Sequence, residues 1–120
     1  MIDLLVSFVV AAQPEATTYT EKICEGSRIH YTTSLIVGTE RPPKGHPTSR
    51  TTLAVDGKLV EDIVIYEDTP APRKPDHELR FETSSGLNPE TRLAVLKKGQ
   101  QLAREKVSCR EETREVAFVH

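Results

Sequence analysis

A chain of 120 residues with 37% hydrophobic and 28% charged residues holds enough apolar material for one core and too much for a disordered polymer, so a single domain over 1–120 is expected. Lys and Arg number 16 against 18 Asp and Glu. The formal net charge of -2 excludes wholesale electrostatic binding to nucleic acid or to a membrane, and any charge-driven function must be local.

The chain opens on an apolar run at 4–12 that has two readings. As a strand, Ile2, Leu4, Val6, Phe8, Val10 and Ala12 share one face, and the protein is cytoplasmic. As a signal remnant ending at Val10-Ala11-Ala12, the run makes the protein secreted or periplasmic, although no basic residue precedes it. The alternation favours the strand. Gln13 and Pro14 end the run well short of a membrane-spanning helix, so no membrane role is expected.

Residues 18–25 and 29–37 alternate as strands around Gly26-Ser27, a pair suited to a tight hairpin turn that would set Cys24 across from Ile29 and toward the core. A second hairpin is plainer: residues 51–55, the turn Asp56-Gly57, then 58–67, with Leu53 opposite Val60 and Val55 opposite Lys58. Glu61, Asp62, Glu67 and Asp68 read as charges closing off the apolar strand core at 63–66. A shorter strand follows at 79–83.

Asn88 as N-cap, Pro89 at the first helical position and Glu90 in the first turn then predict a helix running to about Val107. Leu93, Val95, Leu96, Gly99, Leu102, Ala103 and Val107 fall on one half of its wheel, the pattern of a helix lying on a sheet. A last strand covers 116–119. The expected fold is therefore α+β: a mainly antiparallel sheet of about 5–7 strands with one C-terminal amphipathic helix on a face. Cys24 and Cys109 exclude a CxxC pair or a cysteine-only zinc site and leave one disulfide open, conditional on an oxidising compartment.

Both tight turns belong at one end of the sheet, which sends the longer loops at 13–17, 39–49 and 68–78 to the other. Prolines stiffen two of these, Pro42, Pro43 and Pro47 in one, Pro70, Pro72 and Pro75 in the other. The candidate ligand or partner residues collect there: Arg41, Lys44, His46, Arg50, Arg73, Lys74 and His77, facing Glu40, Asp68, Asp76 and Glu78. The plain reading is a solvated loop end kept soluble by its charges. The functional reading is a non-enzymatic binding module, with no catalytic motif, cofactor or metal, that meets a protein partner through these loops. Its alternative is a binder of a small anionic ligand, nucleotide or phosphate-containing, with hydrolytic chemistry through His46 or His77. Nucleic acid is the weaker partner, since the few aromatic residues sit in predicted strands. Sheet edges left unaccounted for point to a homo-oligomer.

Overall fold

The computed structural model describes residues 15–38, 41–42, 45–67 and 74–118. Seven strands follow in chain order: β1 (Glu15–Glu25), β2 (Ile29–Ile36), β3 (Pro47–Val55), β4 (Lys58–Tyr66), β5 (His77–Thr83), β6 (Thr91–Lys97) and β7 (Gln100–Phe118). They form an antiparallel sheet in the order β4-β3-β2-β1-β7-β6-β5, curled into a half-barrel, with no helix among the described residues. The apolar run at 4–12 and Val119 lie outside the described residues.

The expected helix is two strands and a turn. Lys98 and Gly99 stand at φ 52 and 79, the left-handed pair that a two-residue hairpin turn requires. β6 and β7 leave this turn as an antiparallel ladder that runs to the pairing of Thr91 with Val107. The helical periodicity misled because Leu93, Ala94, Val95 and Leu96 are all buried, and a strand buried on both faces shows a continuous apolar run that period alone cannot tell from a helix. The Asn88-Pro89-Glu90 cap signal instead sits in the loop between β5 and β6. There the Glu90 N–H donates to Ser84 Oγ at 2.9 Å, and the Ser84 N–H donates to the Glu90 carbonyl at 2.9 Å. The fold is thus all-β, and α+β is corrected.

The first hairpin keeps its strands and shifts its register. Glu25 pairs with His30 and Cys24 with Tyr31, so Cys24 lies across from Tyr31 rather than Ile29. In the second, Asp56 and Gly57 take φ 53 and 79 and Val55 pairs with Lys58 as expected. A bulge between Leu53 and Ala54 then displaces Val60, and Leu53 faces Glu61. That one-residue slip decides which acid of β4 points inward.

Cys24, Ile29, Leu53, Val55, Leu93, Val95, Ala103 and Val107 make one buried cluster. β2 and β3 share no ladder with β6, so this common core exists only because the sheet folds its inner face onto itself. Contacts across the interior mark the same curl: the Tyr31 and Phe81 rings meet edge-on at 5.7 Å, and Lys22 Nζ stands 4.9 Å over the Phe81 ring. Each fully buried Leu, Ile or Val contributes about 1.5–3 kcal/mol. Cys24 and Cys109, directly opposed on β1 and β7 with Cα atoms 4.1 Å apart, are joined by a disulfide. Residues 116–118 are the far end of β7, which lies between β1 and β6.

Candidate functional site

The two tight turns do share one end of the sheet. The Asp56 N–H donates to the Arg28 carbonyl at 2.8 Å, and the Arg28 guanidinium grips the Asp56 carboxylate at 2.8 and 3.0 Å. β2 therefore delivers its connection to β3 at the opposite end. There a cavity of about 190 Å³ opens on the outer face, lined by Tyr19, Ser34, His46, Pro47, Ser49, Arg50, Arg114 and Val116.

Strand register explains how these residues meet. Arg50, Ser34, Glu21 and Glu112 fall in one row across β3, β2, β1 and β7, and Tyr19 and Arg114 pair in the next row of the same outer face. Tyr19 OH donates to the Pro47 carbonyl at 2.9 Å and pins the approach to β3. Arg50 is held by a bidentate pair with Asp62 at 3.0 and 2.9 Å. The Arg50 hydrogen bonds, followed by its charge, hold the Asp62 carboxyl below the usual range. Glu21 on the same face accepts the Ser34 hydroxyl at 3.2 Å. Arg114 is exposed and has no ion-pair partner among the described residues.

The seven expected site residues do not converge. His46 and Arg50 line the outer cavity. Arg41 is exposed and pairs with Glu67 at 3.1 Å, and Lys74 is exposed. Lys44 and Arg73 lie outside the described residues.

His77 belongs to a different site, on the inner face between the edge strands. Its side chain is 7% exposed beside Glu61 at 4%, and Nδ1 stands 2.7 Å from Glu61 Oε1. The same oxygen accepts the backbone N–H of Asp76 at 3.0 Å and of His77 at 3.2 Å. Glu61 thereby ties β4 to the start of β5, joining the two edges of the sheet. Thr51, Leu53, Glu61, Ile63, Pro75, His77 and Leu79 surround a cavity of about 180 Å³ at this junction. His46 and His77 therefore line different cavities and share no site.

Arg114 and Glu61 were missed for separate reasons. Arg114 alternates with Glu112 and Val116 along β7, a signal readable only once β7 is known to be a strand there. Glu61 reads as a strand-end charge until the bulge turns it inward.

The site and fold define an antiparallel half-barrel carrying a basic surface cavity at its loop end. The chain matches no protein-family model, no curated protein and no solved structure.

Proposed function

We propose that the protein is a non-enzymatic binding module that grips an anionic group at the loop end of its outer face. The observation that carries this reading is the cavity in which His46, Arg50 and Arg114 line one wall system while Arg114 is left without an ion-pair partner among the described residues. A guanidinium so placed binds a carboxylate or phosphate in bidentate fashion. A binding rather than a catalytic reading is supported by Asp62, the acid beside Arg50, being engaged in holding that guanidinium.

An acidic partner surface and a small anionic ligand share this chemistry. The Cys24–Cys109 disulfide supports a secreted or periplasmic setting over a reducing one. No helix among the described residues is long and apolar enough to cross a membrane.

Thermal unfolding in rising inorganic phosphate tests the anion site. Phosphate at 100 times its Kd should stabilise the fold by about 2.7 kcal/mol, and Arg114→Ala should lose that gain while keeping its melting temperature in phosphate-free buffer. An undiminished phosphate response in the variant overturns the site. If phosphate has no effect but an acidic peptide binds wild type and not the variant, the partner is a protein.

A further inference from the structure

The inner cavity is walled mainly by carbon. Leu53, Ile63, Pro75 and Leu79 supply apolar surface, with Thr51, Glu61 and His77 as the polar groups. Its volume of about 180 Å³ is similar to that of an apolar cavity of roughly 150 Å³ that takes up benzene. His77 is oriented from one side only. Its Nδ1 faces Glu61 Oε1, an oxygen that also receives two backbone N–H groups and so acts as acceptor, which puts the proton of the neutral ring on Nδ1. Nε2 has no partner among the described residues.

We propose that this cavity between β4 and β5 binds a small uncharged apolar molecule carrying one hydroxyl, the size of a single substituted ring. A hydroxyl suits Nε2 in either protonation state, donating to the bare nitrogen or accepting from its N–H. A hydrocarbon would leave Nε2 unmet, and a carboxylate would be set beside the buried Glu61 carboxylate; both are disfavoured. The site is independent of the outer-face cavity, so its success or failure says nothing about the anion reading.

The test is a methyl and imidazole NMR titration of the whole oxidised chain with 4-methylphenol, toluene and 4-methylbenzoate. 4-Methylphenol should shift the Leu53, Ile63 and Leu79 methyls and His77 Nε2 saturably, and bind about two- to tenfold more tightly than toluene, the value of one hydrogen bond. 4-Methylbenzoate should leave these signals in place. Ile63→Trp, which fills the cavity while keeping the Glu61 and His77 side chains themselves, should abolish the response while the β1 and β7 amide signals hold their positions. Equal affinity for toluene overturns the hydroxyl contact with His77. Absence of shifts at the cavity methyls, or an unchanged response in Ile63→Trp, overturns the site.

Discussion

Glu105 and Glu61 perform related work at two places, and their difference shows how the half-barrel is held. Glu105 on β7 accepts the N–H groups of Ser27, Arg28 and Ile29 and the Ser27 hydroxyl, spread over both carboxylate oxygens at 2.6 to 3.1 Å. It clamps the turn between β1 and β2, strands already joined by a ladder of their own. Glu61 is more deeply buried, gathers its three described donors on one oxygen, and connects β4 to β5, which are the two ends of the strand order. Glu105 reinforces a contact that the backbone also makes. Glu61 supplies a closure that the backbone ladder does not.

The largest expected effect therefore lies at Glu61. Glu61→Ala strips the acceptor from His77 Nδ1 and from two backbone N–H groups at a junction where both side chains are less than a tenth exposed. Each buried donor left unmet costs about 1–3 kcal/mol, so losing the acceptor of all three should cost at least about 3 kcal/mol. Urea unfolding should show that loss, and the Tyr31–Phe81 contact across the interior should loosen with it. A loss below about 1 kcal/mol, smaller than one ordinary hydrogen bond, would mean that the core alone holds the curl, and the contrast with Glu105 would collapse.

Much of the first half of the sheet was legible because its signals are local. Asp56-Gly57 between alternating runs specifies a hairpin, and residues 18–25 and 29–37 alternate cleanly enough to place β1 and β2. The second half was hidden by burial. Lys98-Gly99 makes the same turn as Asp56-Gly57, but its flanking strand is apolar on both faces and the helical wheel absorbed it. The candidate site was half legible for a comparable reason. His46 and Arg50 are close in sequence and stay together, whereas His77 is carried inward by a pairing with Glu61, sixteen residues earlier in the chain, that depends on the bulge between Leu53 and Ala54.

The disulfide sharpens the comparison at the Glu105 end. Cys24 and Cys109 pair on the ladder beside Glu25 and Ser108, immediately before the turn that Glu105 clamps. Closing so long a loop restricts the unfolded chain, and its loss should cost about 2–4 kcal/mol. Cys24→Ala/Cys109→Ala should show this in urea unfolding under oxidising conditions, while reductant should lower wild type to the level of the double variant. Because both restraints act on the start of the first hairpin, combining this variant with Glu105→Gln should give a loss that differs from the sum of the two. Combination with Glu61→Ala, at the sheet's other junction, should come closer to additive.

The smallest of these effects is at Glu105 and has a pH signature. Burial pushes its carboxyl up, but the Ser27 hydroxyl and the N–H groups of Arg28, Ile29 and Ser27 together outweigh burial and hold it below the ordinary glutamate value. A carboxyl depressed in the folded state contributes stability that is fully present above its unfolded value, about 4.3, and is lost as pH falls through the lower folded value. Glu105→Gln removes the charge while keeping one acceptor oxygen, so at pH 7 it should cost about 1–2 kcal/mol, the range for hydrogen bonds to a charged group that are only partly replaced. The gap between wild type and variant should narrow steadily below about pH 4.3. A gap that stays constant from pH 7 to pH 3 would show that the turn is held by shape and neutral hydrogen bonds, making the carboxylate charge dispensable there. A gap as large as the one at Glu61 would show that the turn end, and not the edge junction, carries the closure of the half-barrel.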